Sequence, residues 1–496
     1  MAKRNSLTLI TVDCLRADHV GFLGYHRPTT PFLDSLAPTS LVFKEAIVTG
    51  SPTYYSFPGI MASRYPLALG RETIGLSPNE TTLATCLKQA GYHTAAFIAG
   101  NPYLTRNFGY DAGFDDFENS LECNFGSESF LPAPSNSVTV LNQRIARACH
   151  KFARLGHAYD EAYFRYTSWK ALKKRKSIDA LRPYPAAEQI VDRACQWLEQ
   201  AREPFFLWLH FMDAHAPYYP AQEALSQIGL SIDTRRLRYL NSWWNRDDLK
   251  ASSLSAHLGD VINLYDAGIC WVDSQVERLV LRLQALRIWN HSVLALTADH
   301  GEEFLDHGGR YHKTSSLAQE LIHVPLLIRA PEISGHYEKA PFSLLNLAPT
   351  LLDCLEIDAP HHFLGHSYCD RESNPDSIAI SECIAGCNNP LVKSDRVGPR
   401  LLSLRQDRYE VVLDFRNSTE HLFDLERDPR ELHPLPREHS RPIRCRLLEA
   451  ARKHLADTAE SNGELKIAAR LRELQLQPRV SPMRQKQSSA LVEATV

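Results

Sequence analysis

The sequence predicts an α/β protein in which a large, mostly parallel sheet, covered by helices on both faces, is followed by a smaller α+β subdomain. The chain has 496 residues, which is too long for one ordinary compact domain. Apolar runs rich in β-branched residues alternate with helical patterns as far as residue 355, and this alternation is typical of a parallel sheet. After about Leu401, short strands follow one another closely and then give way to a helix.

The elements of the large sheet are predicted from apolar runs and from helical periodicity. We expect strands over residues 7–12, 94–99, 205–212, 292–297 and 324–328. We expect helices over residues 83–90, closed by Gly91, and over residues 190–198, 265–288 and 344–355.

The C-terminal part has its own pattern. We expect a hairpin of residues 401–405 and 409–415, a short third strand at 422–424, and a broken helix from about 442 to 476. The chain is thereby divided into a first domain of residues 1–375, a C-terminal subdomain of residues 376–476 and a disordered tail of residues 477–496. Residues 120–184 form a helical insertion in the first domain, and its basic run at 173–176 is interpreted as a solvated helix face.

Composition excludes several classes of protein. Hydrophobic residues make up 44% of the chain and the formal net charge is -3, so nothing requires nucleic acid or an acidic membrane surface as a partner. No window approaches the roughly 20 apolar residues of a membrane span. The eleven cysteines lack metal-type spacing, and Asp13 interrupts the N-terminal apolar run before it could serve as an export signal. We therefore expect reduced thiols and a cytoplasmic location.

Acidic residues follow three of the predicted strands. Asp13, Asp213 and the Asp299-His300 pair each come directly after an apolar run. Because ligands of open α/β sheets bind beyond the carboxyl ends of the strands, we expect these side chains to converge. Each carboxylate taken alone could instead cap the next helix or turn.

Several segments, in order from about residue 7 to 432, resemble the sulfatase-like branch of the alkaline phosphatase superfamily. They are ITVDCLRADHVGFLGY, GSPTYYSFPGIMASRYP, PFFLWLHFMDAHAPYY, LTADHGEEFLDHG, HKTSSLAQELIHVPLLIRAP, LAPTLLDCL and HLFDLERDPRE. The resemblance implies an alkaline-phosphatase-like fold with a catalytic domain at residues 1–375. It also implies a metal-dependent enzyme that cleaves ester bonds.

The resemblance assigns roles to individual residues. Thr53 falls on the nucleophile and Ser56 on the motif serine. The implied metal ligands are Asp13, Thr53, Asp299 and His300. His215 and His312 are the other catalytic candidates, and Lys313 and Asn101 are the candidates for substrate binding.

Physical chemistry agrees with this assignment. A divalent metal can offset the charge of a tetrahedral phosphoryl or sulfuryl group and make the threonine alkoxide accessible at neutral pH. A helix that starts at Thr53 would also favour an anionic substrate. Histidine and lysine can supply positive charge and a proton for the leaving oxygen.

Four other polar residues have competing interpretations. His307 competes with His312 for the same catalytic role. We expect Arg16 and Asp18 to form an internal ion pair, and we expect Asp273, in the middle of a helix, to be structural.

Three departures from the sulfatase pattern bear on the nucleophile and on the metal ion. Threonine at position 53 is not converted to formylglycine, so no formylglycine is expected. Cys14 stands where a second aspartate is usual, and Asp299 is followed by His300 instead of asparagine. Fewer carboxylates and an imidazole favour one manganese or zinc ion, with magnesium and calcium as alternatives. The departures resemble the phosphodiesterase, phosphonate monoester hydrolase and phospho-group transferase relatives.

The sequence therefore predicts a metal-dependent hydrolase of a phosphate or sulfate ester with a threonine nucleophile. A transferase to an acceptor alcohol, a degenerate binding protein and a sulfatase working without formylglycine are the alternatives. The expected partner is a small-molecule, saccharide or lipid-headgroup ester. We expect neither nucleic acid nor a membrane span, and the oligomeric state is left open.

Overall fold

The structure is a computed structural model that describes residues 4–70, 73–121, 181–369, 378–387, 389–438 and 440–460, with scattered positions between 145 and 166. Most of the predicted insertion at 120–184, its basic run, the predicted helix beyond residue 460 and the predicted tail lie outside the described residues.

Fifteen strands are formed by the described residues. In chain order they are β1 (Ser6–Val12), β2 (Leu41–Ile47), β3 (His93–Ile98), β4 (Asp116–Asn119), β5 (Phe205–Phe211), β6 (Ser292–Ala298), β7 (Glu303–Phe304), β8 (Arg310–Tyr311), β9 (His323–Arg329), β10 (His336–Glu338), β11 (Phe342–Ser343), β12 (Ala379–Ile384), β13 (Arg400–Gln406), β14 (Tyr409–Asp414) and β15 (Thr419–Asp424).

The large sheet contains nine of these strands in the order β10-β2-β9-β6-β1-β5-β3-β4, and β11 also pairs with β2. Strands β6, β1, β5, β3 and β4 are parallel neighbours, whereas β9 runs antiparallel to both β6 and β2. Because β2 therefore runs in the same direction as β1, the segments that follow β1, β2, β3, β5 and β6 leave the sheet at one edge. The mostly parallel sheet predicted from the sequence is confirmed.

Twelve α-helices are formed by the described residues. They are α1 (Pro31–Leu36), α2 (Thr53–Ala62), α3 (Leu83–Gln89), α4 (Ala187–Leu198), α5 (Gln222–Gln227), α6 (Thr234–Trp244), α7 (Ala251–Leu254), α8 (Leu258–Ala285), α9 (Gln319–Ile322), α10 (Leu347–Asp353), α11 (Lys393–Arg396) and α12 (Arg441–Glu460). Helix α8 packs against α1, α4, α5 and α6, while α2, α3 and α10 form a second group. None of the helices in the described part of the chain has the length and apolar character needed to cross a membrane.

Strand β2 was not among the predicted strands, and its sequence gives the reason. Lys44 and Glu45 interrupt the apolar run of residues 41–47, and they occupy a bulge where the register between β2 and β9 shifts. A bulge inserts an unpaired residue into the ladder, so the alternation that marks a regular strand is lost. Helix α8 also begins earlier than predicted, at Leu258, because its first turns carry polar residues.

The small sheet has the order β12-β13-β14-β15 and is antiparallel throughout. Helix α12 packs on β13 and β14 over a small core that includes Leu402, Val411 and Leu447. The predicted hairpin, third strand and helix of this subdomain are therefore present in the described residues.

The small sheet is hydrogen-bonded to loops of the large sheet. The backbone N–H of Glu382 on β12 donates to the carbonyl oxygen of Thr49 at 2.9 Å. The hydroxyl of Tyr54 donates to the carbonyl oxygen of Cys387 at 2.6 Å, just after β12. The segment that runs from the end of β2 into the first turn of α2 is thus held by β12 and the residues that follow it.

Helix α8 approaches the loop after β5 at Gly268. A Cβ atom added at Gly268 would lie 2.3 Å from the carbonyl oxygen of Asp213, whereas one added at Gly259, in the first turn of the same helix, would meet no atom within 4 Å. Only glycine at position 268 allows this close approach, and the loop it supports carries His215.

We expect Gly268→Ala to lower the free energy of unfolding by about 1–3 kcal/mol, because the gain in helix propensity is smaller than the cost of displacing backbone. The matched variant Gly259→Ala should instead raise it by about 0.5–1 kcal/mol. Denaturant unfolding curves of both variants measure the difference. Equal effects of the two substitutions would contradict the close packing at Gly268.

Candidate active site

Two predicted metal ligands leave adjacent parallel strands side by side. Asp13 follows β1 and Asp299 follows β6, and Val12 pairs with Ala298 at the end of the ladder. Both carboxylates are fully buried, as is His300. The Nε2 atom of His300 lies 3.6 Å from Asp13 Oδ1 and 3.6 Å from Asp299 Oδ2. The three donors therefore face a common point.

Thr53 completes this group. It is the first residue of α2, and its hydroxyl oxygen lies 3.2 Å from His300 Nε2. Helix α2 is wholly buried and ends at Ser63 in the left-handed conformation. The backbone dipoles of this helix place partial positive charge at Thr53, which favours an anion there. All four residues implied as metal ligands lie together.

The tautomer of His300 is fixed by its surroundings. Its Nδ1 atom lies 2.8 Å from the carbonyl oxygen of Gly301, to which it donates, so Nε2 carries the free electron pair. Burial and the neighbouring His312 lower the pKa of His300 to about 4. The imidazole is thus neutral at physiological pH and can donate electrons to a metal ion.

The Asp13 carboxylate is held by two side chains. The amide nitrogen of Asn101 donates to Asp13 Oδ2 at 2.8 Å, and His210 Nε2 lies 3.5 Å from the same oxygen. The amide oxygen of Asn101 accepts a hydrogen bond from the backbone N–H of Tyr103 at 2.9 Å. Asn101, predicted to bind substrate, therefore orients a predicted metal ligand and stabilises its own turn.

The donor set fits a divalent metal ion. Burial, together with the charge of Asp13, raises the pKa of Asp299 well above its usual range. Burial opposes ionisation of Asp13, but the charge of His215 and the hydrogen bond from His210 hold its pKa well below its usual range. Asp299 Oδ2 accepts no hydrogen bond from any described residue although it is buried. A cation would satisfy this oxygen and relieve the repulsion between the two carboxylates.

His312 and His215 lie on the other side of this group. Their ring centroids are 5.0 Å apart, and the His312 ring is 4.6 Å from that of His300. His312 Nδ1 lies 3.3 Å from Glu302 Oε2. Burial lowers the pKa of His312, but the charge and hydrogen bond of Glu302 outweigh this effect and raise it above its usual value. His312 can therefore hold a proton beside His300.

A cavity of about 1200 Å³ opens from this group. Thr53, Asn101, His215, His312 and Lys313 all line it, and Lys313 is exposed. Much of the remaining wall is aromatic and is formed by Tyr54, Tyr103, Tyr184, Tyr219, Trp244 and Tyr311. The predicted catalytic and substrate-binding residues thus share one cavity.

Asp213 does not join the group. Its Oδ2 atom accepts the backbone N–H of Ala187 at 2.9 Å, at the start of α4, and burial raises its pKa to about 7. The expected convergence with Asp13 and Asp299 is therefore wrong for Asp213. It has the alternative role, a helix cap.

His307 also lies away from the cavity. Its Nδ1 atom donates to Glu320 Oε1 at 2.7 Å, in the turn between β7 and β8. The hydrogen bond and charge of Glu320 raise the pKa of His307 to about 9, although burial opposes this. Of the two competing histidines, His312 is the one that lines the cavity together with Thr53.

Two predicted structural roles agree with the contacts. Arg16 pairs with Asp18 at 2.7 Å and with Asp306 at 2.9 Å. Asp273 accepts the backbone N–H groups of Phe32 and Leu33 at the start of α1.

Sequence reasoning did not assign roles to Glu302 and His210. Glu302 is fully buried, and its Oε1 atom accepts no hydrogen bond from the described residues. His210 is a fully buried histidine inside the apolar run of β5. A polar residue in an otherwise apolar strand was a usable signal for His210, but Glu302 offered none beyond its place in the DHGEE segment.

Comparisons with known proteins agree with this architecture. The family model described as Sulfatase matches residues 6–357. An arylsulfatase of Clostridium perfringens (strain 13 / Type A) is 24% identical over 467 residues, covering 86% of this chain and 89% of the relative. Together these matches run through every segment that carries the cavity-lining residues named above.

Two solved structures are similar in fold. The phosphonate monoester hydrolase of Agrobacterium radiobacter aligns with a TM-score of 0.59 and 17% identity, over 92% of this chain and 96% of that one. A structure of BT4656 in complex with its substrate D-glucosamine-2-N,6-O-disulfate aligns with a TM-score of 0.65 and 14% identity, over 93% and 99% of the two chains. At these identities the likeness concerns the fold alone.

We expect Asn101→Ala to weaken zinc binding by roughly 10–100-fold, because Asp13 loses the donor that orients it. Isothermal titration of the metal-stripped protein measures the affinity. Asn346→Ala, which removes another loop-anchoring asparagine that is not among the residues lining this cavity, should leave the affinity unchanged. An unchanged affinity in Asn101→Ala would contradict an orienting role.

We expect His307→Gln to lower the melting temperature at pH 7, where the imidazolium pairs with Glu320, by the equivalent of about 1–2 kcal/mol. The raised pKa means that this stabilisation is complete below about pH 6.5 and is lost as pH rises through about 9. Variant and wild type should therefore converge near pH 10. Thermal unfolding between pH 6 and 10 tests this, with exposed His336→Gln as control.

Proposed function

The chain belongs to the sulfatase family and is an ester-hydrolysing enzyme, and from this premise we propose that it cleaves a phosphate or sulfate ester through Thr53 with one divalent metal ion. The observation that carries the proposal is the position of the Thr53 hydroxyl, 3.2 Å from His300 Nε2 and at the start of a buried helix. Asp13, Asp299, His300 and Thr53 would hold the ion, with manganese or zinc favoured.

Threonine at the nucleophile position favours phosphorus esters. Formylglycine sulfatases release sulfate when a hydrated aldehyde collapses, and a threonine side chain has no second hydroxyl for that step. A phosphorylated threonine can instead be hydrolysed by direct attack of water on phosphorus. We therefore favour a phosphodiester or phosphonate monoester over a sulfate ester.

The first step is an in-line attack by Thr53. Bound at the four-ligand group, a divalent cation would lower the pKa of the Thr53 hydroxyl and offset charge on the transferred group. Thr53 releases its hydroxyl proton to solvent, and the Thr53 Oγ1–phosphorus bond forms while the bond from phosphorus to the leaving oxygen breaks. His312, whose proton Glu302 stabilises, gives that proton to the leaving oxygen.

The second step regenerates Thr53. His312, now neutral, accepts a proton from a water molecule on the open side of the cavity. The water oxygen bonds to phosphorus, the Thr53 Oγ1–phosphorus bond breaks, and the Thr53 oxygen takes a proton from solvent, while His312 keeps the proton from water for the next cycle. Lys313 and His215 line the same space and are proposed to neutralise the nonbridging oxygens in both steps.

The lining of the cavity bears on the substrate. Lys313 is the single lysine or arginine among the described residues that line it, and the wall is largely aromatic. The single positive charge of Lys313 matches a reacting group with one negative charge. The aromatic wall matches an aromatic or saccharide alcohol. We propose a small-molecule or saccharide ester of this kind. A lipid-headgroup ester is the alternative.

We expect Thr53→Val, which keeps the shape of the side chain without the hydroxyl, to lower kcat/KM by at least roughly 10³-fold. Thr53→Ser keeps the hydroxyl and should retain most turnover. The assay uses metal-loaded protein with aryl phosphodiesters, phosphonate monoesters, phosphate monoesters and sulfates.

The two variants form a matched pair because both should fold, and both keep Asp13, Asp299 and His300 as proposed metal ligands. Full turnover in Thr53→Val would overturn the proposed nucleophile. Product analysis by mass spectrometry with added acceptor alcohols distinguishes hydrolysis from transfer, since a transferase would yield a new ester. Failure to turn over any ester while metal is bound would favour the degenerate binding protein.

A further inference from the structure

Cys14 occupies an unusual position directly after Asp13. It is fully buried, and its backbone has a φ of 64°, in the left-handed region that few residues other than glycine adopt. This conformation places the thiol Sγ 3.1 Å from Asp13 Oδ1 and 3.3 Å from His312 Nδ1. The strained backbone turns a sulfur atom towards the proposed metal ligands.

Donor atoms from several residues converge on this sulfur. The Sγ atom of Cys14 and a ring nitrogen each of His300 and His312 all lie within 4.8 Å of one another. A second such set contains Cys14, Asp13 and His215. Ligand atoms around one zinc ion, at bond lengths of about 2.0–2.3 Å, are separated by roughly 3–4 Å. The short distances around Cys14 are in that range.

Two buried oxygen atoms independently support a cation-binding site here. Asp299 Oδ2 and Glu302 Oε1 both belong to fully buried carboxylates and accept no hydrogen bond from the described residues. Both carboxylates are close enough to Cys14 to act on it electrostatically.

We propose that Cys14 is a ligand of the metal ion and that its sulfur makes the site selective for zinc over calcium and magnesium. The proposal rests on the proposed function, because it concerns the same metal ion. Thiolates prefer borderline and soft ions, whereas calcium and magnesium take oxygen ligands. When the metal binds, the S–H bond of Cys14 breaks and the proton is released to solvent.

Asp13 and Cys14 would then act as a pair of consecutive ligands. Asp13 supplies an oxygen and Cys14 a sulfur from consecutive residues, so one strand end provides two donors of different softness. Aspartate at position 14 would give a harder donor set, and the metal preference should move accordingly.

Cobalt is the probe for this site, because a thiolate bound to Co²⁺ gives a sulfur-to-metal charge-transfer band in the near ultraviolet. We expect this band in the cobalt-loaded wild-type protein and its loss in Cys14→Ser. The matched control is Cys387→Ser, which removes another buried cysteine from the wall of the same cavity and should keep the band. Circular dichroism of each variant checks that it is folded.

Metal competition provides the second measurement. Zinc affinity in Cys14→Ser should fall by at least roughly tenfold, as for the loss of a coordinating group. Cys14→Asp should lose the cobalt band and bind manganese or calcium more tightly than the wild type does.

The outcomes separate this inference from the proposed function. Cobalt bound by the wild type without the charge-transfer band would overturn Cys14 as a ligand and leave the metal-dependent hydrolase standing. A protein that binds no metal at all would overturn both. The wild-type spectrum alone decides between these outcomes, so the inference is tested even if Cys14→Ser does not fold.

Discussion

The pairing of β1 with a parallel strand on each side determines the rest of the site. Val12 lies beside Phe211 of β5 and beside Ala298 of β6, so the chain leaves all three strands at the same height. Asp13 and Asp299 are consequently forced together in a buried space, where two like charges repel each other. The neutral His300 beside them provides an electron pair for a cation. The start of α2 provides positive potential for an anion.

Much of the fold and part of the site could be predicted from the sequence. Long apolar runs of β-branched residues predict strands because a strand buried on both faces admits little else. The family motifs predicted Thr53, Asp299 and His300 as site residues, because each lies at a defined position within a short contiguous segment. The structure brings these residues together, and their chemical roles stay predictions that the proposed experiments address.

Other features depend on contacts between distant segments, which a single sequence does not reveal. Strand β2 was missed because its two charged residues lie in a bulge. Asp213 follows a predicted strand in the sequence just as Asp13 does. In the structure its carboxylate instead accepts a backbone N–H at the start of α4. His312 was predicted to be catalytic with His307 as a competitor, and their partners, Glu302 and Glu320, could not be foreseen because these contacts form through space.

The bonds between the small sheet and the segment of residues 48–55 have a consequence for how such a protein can evolve. Backbone groups of Glu382 and Cys387 help to hold the segment that leads into Thr53. The C-terminal part of the gene therefore encodes some of the scaffold of the active centre, more than 300 residues away from position 53. Recombination that replaced only this part would also alter the support of the nucleophile. The two parts are thus expected to be inherited together.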